Sequence, residues 1–207
     1  MQIIEQHHRA TSAVEPIVAR VRPVDLGLPT PCAGWDLRTL LEHMTGQDHG
    51  FAAAVRAGDG SDVDAAAFAP RPLGADPVAT VAAAAAEVDA AFGEAAADPG
   101  RTVWMAEFGG RFGLEQIAGF HLIDALVHGW DVAVTLGVAV DYDEELVAAG
   151  LAQAEQVPSG PFREQPGSPF APALADAGGG DPWERTLALL GRDPMWSPYG
   201  AGRAASR

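Results

Sequence analysis

From about Leu114 to Leu136 the chain reads as one helix that is apolar on nearly every side. It carries Ile117, Phe120, Leu122, Ile123, Leu126, Val127, Val132 and Val134, and Gly137 follows as a stop. Four polar side chains interrupt it. At about 100° per residue, His121, Asp124, His128 and Asp131 share an arc of about 80°. Any fold for this chain must give that helix apolar neighbours and say where the polar stripe points.

The neighbours are helical too. Ile3, Ile4, Val14, Ile17, Val18 and Val21 give a loose helical period over the first twenty residues. After the proline- and glycine-rich connection 23–35, Asp36 is an N-cap for a second helix to about Ala57, with Leu37, Leu40, Leu41, Met44 and Phe51 on one face. Residues 58–75 have no period and read as a mobile loop. Asp76-Pro77 opens an alanine-rich third helix to about Ala97. TVWMAEFGGRFG has the pattern of a short hairpin turning at Gly109-Gly110. A fifth helix covers about 144–156, opened by Asp141 or Asp143, and Asp181 caps a short last one to about Leu190. Long helices joined by turns predict an all-α fold, an up-and-down four-helix bundle over residues 1–157. Residues 158–207 form a loop-rich C-terminal extension with one short helix packing on the bundle.

The stripe can be the solvent face of an amphipathic helix, a buried Asp–His hydrogen bond or a metal site. Two histidines and two aspartates are an odd choice for facing water in a chain whose other helices expose Arg, Glu and Gln. Asp124 and His128 stand at i and i+4, the spacing that lets two side chains grip one ion. His43, at the edge of the apolar face of the second helix, can meet the stripe across a bundle. Two imidazoles and one carboxylate suit a zinc-type catalytic site or a facial triad open to other divalent metals. His121, one turn back, is a fourth ligand, an outer hydrogen-bond donor or a general base; as a catalytic residue its role is proton transfer. His7, His8 and His49 read as surface residues, Cys32 as packing in a turn, and Trp35 and Trp130 as core anchors.

Composition narrows the partners. Thirteen Arg and Lys against 28 Asp and Glu give −15, which opposes binding to nucleic acid and to anionic membranes. A single cysteine excludes an intrachain disulfide and a cysteine-based zinc cluster. No basic start with an apolar middle marks a signal peptide, and the expected location is cytoplasmic. All basic residues are Arg and there is no Asn, a usage that points to a high-GC bacterial genome.

The segments PTPCAGWDLRTLLEHMTGQDHGFAAAVRAG, HLIDALVHGWDVAVTLG and ERTLALLGRDPMW resemble, in order, a bacterial family of metal-binding proteins. That family is related to the N-terminal domain of mycothiol-dependent maleylpyruvate isomerase, within the DinB/YfiT-like superfamily. The resemblance runs from about residue 20 to 197. It implies a four-helix bundle with one divalent metal, zinc in the isomerase and nickel, iron or manganese not excluded here. The implied ligands are His43, Asp124 and His128. The isomerase pattern has Glu where this chain has Asp124, which shortens the reach by about 1.5 Å. The isomerase also has a larger second domain that about 50 residues after Val157 do not supply, so its activity is not inherited with the resemblance.

The resemblance further implies a low-molecular-weight thiol, mycothiol, as co-substrate, activated as thiolate by the metal. The sequence leaves open a metal-dependent thiol transferase or isomerase, a metal-dependent hydrolase, and a non-catalytic bundle that binds a metal or small molecule. A homodimer is the one protein partner considered. The substrate is not legible.

Overall fold

The computed structural model describes residues 2–60, 63–165, 168, 170–175 and 180–199. Among these residues the chain is mostly helical. Its helices are α1 (Gln2–Val18), α2 (Leu37–Ala57), α3 (Pro77–Ala95), α4 (Leu114–Leu136), α5 (Glu144–Ala154) and α6 (Pro182–Leu189). A small antiparallel hairpin joins α3 to α4: β1 (Thr102–Met105) pairs with β2 (Gly110–Gly113), with Val103 opposite Phe112. The turn passes through Gly109 at φ 61°, which glycine adopts without strain.

The expected caps set the helix starts. Asp36 accepts from Thr39 N at 2.8 Å, Asp76 from Ala79 N at 3.0 Å and Asp143 from Leu146 N at 3.0 Å. Asp181 accepts from both Trp183 N and Glu184 N. Each bond satisfies a backbone donor that has no partner within its own helix. Gly137, at φ 69°, ends α4.

The most extensive packing is of α2 on α3 and of α1 on α4; α1 also meets α3, and α2 meets α4. Near the hairpin the interior holds Phe51, Phe68, Phe92, Met105, Leu114 and Ile117. At the other end are Val14, Ile17, Leu37, Leu40, Leu41 and Val132. The outer side of α4 is covered by α5 and α6 through Leu122, Leu126, Leu146, Ile123 and Leu190. By length and composition α4 can cross a membrane, but 83% of its most apolar window is buried inside the protein.

One stretch differs from its sequence reading. Residues 58–75 were expected to be a mobile loop, yet a 3-10 turn, Ala65–Phe68, lies against α2 and buries Phe68 and Leu73 to 2% and 1% exposure. Gly46 and Gly50 make the room. A Cβ at Gly46 would overlap the Ala69 carbonyl, and one at Gly50 would overlap the Phe68 ring.

One arginine gathers several carbonyls of the C-terminal segment. Arg163, 5% exposed, donates to the carbonyls of Pro158 at 2.8 Å, Leu189 at 2.6 Å, Val157 at 3.1 Å and Ala171 at 3.3 Å. This holds α6 beside the end of α5.

Because Asp36 both starts α2 and fixes the rotation of the helix that carries His43, its loss is measurable. Asp36→Ala should lower stability by about 1 kcal/mol. The thermal midpoint, followed by circular dichroism, should fall by about 2–4 °C.

Candidate metal centre

The solvent-face reading of the α4 stripe is excluded, since His121, His128 and Asp131 are 1%, 4% and 0% exposed. The stripe separates into two arrangements. One gathers His128, Asp124 and Asp131 with residues from α2, the loop before it and the C-terminal segment. The other joins His121 to α1 and α2.

In the first, His43, Asp124 and His128 offer ligand atoms that all lie within 4.8 Å of one another. His128 Nε2 is 3.4 Å from Asp124 Oδ1. The His43 ring meets the His128 ring edge-on with centroids 5.0 Å apart. Trp35, from the loop before α2, lies 4.9 Å from His43 and 6.4 Å from His128, ring to ring. It is therefore a wall of the site as well as a packing residue of the core.

His128 is oriented from behind. Its Nδ1 is 2.9 Å from Asp131 Oδ2, so Nδ1–H donates to the carboxylate and Nε2 faces Asp124 and His43. A metal-binding histidine commonly has this partner, which fixes its tautomer and raises its basicity. The same Oδ2 accepts the Cys32 thiol at 3.3 Å and Arg192 at 3.3 Å, and Arg192 also reaches the Cys32 sulfur at 3.6 Å.

The protonation pattern follows from burial and the surrounding charges. Burial works against a charge on His128, but Asp124, the bond to Asp131 and Cys32 outweigh it and lift its pKa to about 10. Burial dominates at His43 and, with the His128 and Arg192 charges, lowers it to about 4 despite Asp124. Burial raises Asp131, yet Arg192 and His128 keep it below the usual carboxylate range. The acidic groups thus favour a proton on His128 Nε2, which a cation bound there would displace, and leave His43 a neutral donor. A divalent cation between these donors answers the same potential. Cys32, His128 and Asp131 form a second trio with ligand-like spacing. There, however, Arg192 already supplies the cation and His128 Nδ1 is engaged, so the donor set that fits a metal is His43, Asp124 and His128.

His121 lies outside that trio. Its Nε2 is 2.9 Å from Asp48 Oδ1, and its Nδ1 is 2.8 Å from His7 Nε2. His7, expected at the surface from its place near the N-terminus, is instead fully buried and packs on Phe92. The signal was present: Ile4, His7, Ala10 and Val14 lie on one helical stripe. His8 is exposed and His49 pairs with Glu87, close to the surface reading. Arg192 and the Cys32 contacts had no local signal, because their partners are 61 and 99 residues away.

A cavity of about 270 Å³ opens among α1–α4. Val14, Val18, Met44 and Val81 line it, and Asp48 and Asp124 contribute carboxylates. Asp124 therefore belongs both to the donor trio and to the cavity wall.

The fold and this pairing of His on α2 with Asp-x3-His on α4 define a helical class with a metal-type donor set. The chain belongs to the family described as the mycothiol maleylpyruvate isomerase N-terminal domain, whose profile matches residues 7–133. Two strains of Mycobacterium tuberculosis, CDC 1551 / Oshkosh and ATCC 25618 / H37Rv, carry relatives described as uncharacterized proteins MT0763 and Rv0738. Each is 31% identical over 192 residues, covering 93% of this chain and 98% of the relative. Among solved structures, the mycothiol-dependent maleylpyruvate isomerase shares the fold at TM-score 0.52 and 14% identity. A His-to-Ala mutant of that enzyme gives 0.56 and 13%. Each match covers 74% of this chain and 68% of the other.

The Asp131–Arg192 pair is buried on both sides, so removing one member strands the other. Asp131→Ala should cost about 3–5 kcal/mol in chemical denaturation. Adding Arg192→Met should recover much of that loss, and the double-mutant cycle measures the coupling.

Proposed function

We propose that the protein is a metal-dependent enzyme that takes one divalent cation, zinc in the first instance, on His43, Asp124 and His128. It acts with a low-molecular-weight thiol of the mycothiol kind in a transfer or isomerisation reaction. The observation that carries this reading is the Asp131–His128 hydrogen bond, which aims Nε2 at Asp124 and His43. A cation bound there would lower the pKa of a coordinated thiol or water and so supply a nucleophile at neutral pH.

The chain's own residues do the rest. His43 and His128 orient the bound group, and Trp35 covers it. The apolar walls of the cavity, Val14, Val18, Met44 and Val81, flank Asp124 and limit the water around it. His121 handles the proton, acting through Asp48 because Asp48 lines the cavity. The family relation and the fold shared with a mycothiol-dependent isomerase support a thiol-linked, isomerase-type role.

In this reading α1–α4 form an up-and-down, DinB-like four-helix bundle within residues 1–157. Residues 158–207 are an extension whose Arg192 buttresses the site. A cytoplasmic location and small-molecule partners, without nucleic acid or membrane, accord with the −15 charge. A homodimer is compatible with the site.

Elemental analysis of untagged protein tests the centre. Wild type should hold about one equivalent of divalent metal, and His43→Ala and His128→Ala should hold none while remaining folded. Asp131→Asn should weaken metal affinity by about 10–100-fold. In cobalt-substituted protein, added mycothiol should produce a sulfur-to-metal charge-transfer band. Full metal content in both histidine variants would overturn the ligand assignment, and a bound metal with no such band would favour the hydrolase reading.

A further inference from the structure

The His7–His121–Asp48 chain is buried along its whole length, at 0%, 1% and 8% exposure, and its two ends reach the same cavity. Asp48 lines the cavity itself. At the other end His7 Nδ1 is buried with no hydrogen-bond partner and stands 3.9 Å from Asp89 Oδ1. Asp89 also lines the cavity, is partly exposed, and is held at 2.8 Å by the exposed His8. Behind the cavity wall a hydrogen-bonded row therefore runs from Asp48 through His121 to His7, and a 3.9 Å gap separates its last nitrogen from the Asp89–His8 pair.

The Asp48–His121–His7 row can be hydrogen-bonded in two directions that differ by one proton. With Asp48 ionised, His121 donates from Nε2 to Asp48 and His7 donates from Nε2 to His121 Nδ1, which leaves His7 Nδ1 as a bare lone pair. With Asp48 protonated, every bond reverses. Asp48 donates to His121 Nε2, His121 Nδ1 donates to His7 Nε2, and His7 Nδ1–H points toward Asp89. Passing from the second state to the first breaks one bond to hydrogen and forms another at each link. The Asp48 proton moves to His121, the His121 Nδ1 proton moves to His7, and the His7 Nδ1 proton leaves to Asp89 or water. Neither ring has to rotate. A buried nitrogen left without a hydrogen bond calls for an explanation, and the terminus of a proton path requires an open one.

We propose that the cavity is an acid–base site in which Asp48 exchanges protons with a neutral, largely apolar ligand bearing a weakly acidic proton, such as a thiol. His121 and His7 carry those protons to and from Asp89 and His8. The neutral ligand follows from the lining, where Asp48, Asp89, Asp124 and Glu15 meet apolar walls, His8 is already paired with Asp89, and no arginine is among the described lining residues. Burial raises the Asp48 carboxyl and lowers His7, which keeps both states of the chain free of a stranded imidazolium. The thiol rests on the function proposed above; the path itself does not.

The groups that bear on its titration are few. Asp48 faces His121 and Asp124 on α4 and His49 on its own helix, and His7 faces His121 on α4, Asp89 on α3 and His8 beside it.

The test uses histidine labelled with nitrogen-15 and NMR of the full chain. As pH rises through the Asp48 titration, the protonated nitrogens of His7 and His121 should exchange identity together in wild type. In Asp48→Asn both rings should stay locked in one tautomer. Exchange of the His121 ring proton with solvent should slow by about tenfold or more in His7→Phe. His7→Gln is the second variant, because it can keep the bond to His121 yet cannot pass a proton on. Metal content should be unchanged in all three, which separates failure of this path from failure of the metal centre. Equal exchange rates in wild type and either His7 variant, or rings fixed in one tautomer at every pH, would overturn the proposal.

Discussion

Placing ionisable groups inside an apolar helix is costly unless each finds a partner, and the arrangement of this protein follows from meeting that requirement. An unpaired charge or polar group in the interior costs several kcal/mol. Helix α4 brings His121, Asp124, His128 and Asp131 into contact with the core, so its neighbours must supply complements. Asp131 draws in Arg192 and Cys32, His121 draws in Asp48 and His7, and His128 takes Asp131. The packing of α1 and α2 on α4 is thereby fixed in rotation as well as position, because a helix turned by one residue would bring the wrong side chain to each partner.

The stripe then divides its work. Asp131 is held ionised by Arg192 and serves His128. Asp124 keeps some solvent access at 22% and faces both His128 and the cavity. That asymmetry separates two aspartates seven residues apart: Asp131 is committed to His128 Nδ1 and Arg192, while Asp124 faces the cavity.

Local features were the most legible in the sequence. Asp36, Asp76, Asp143 and Asp181 announce their helices because a cap needs only its own next turn. Gly109 marks the hairpin for the same reason. Asp124 and His128 could be paired by helical spacing alone, and His43 by its place at the edge of an apolar face. The rest depended on tertiary contact. Phe68 looks like a stray apolar residue in a polar loop until Gly46 and Gly50 are seen opposite it. Arg192 and Cys32 meet Asp131 only across the folded chain. His7 was misread because nearness to a terminus was given more weight than its place in the Ile4–Ala10–Val14 stripe.

The Arg192 contact has a consequence for biosynthesis. A ribosome makes α2 and α4 well before it reaches residue 192, so for part of its synthesis the nascent chain carries Asp131 without the guanidinium that balances it. The full set of contacts around Asp131 and His128 therefore forms only after the segment that carries Arg192 has been made.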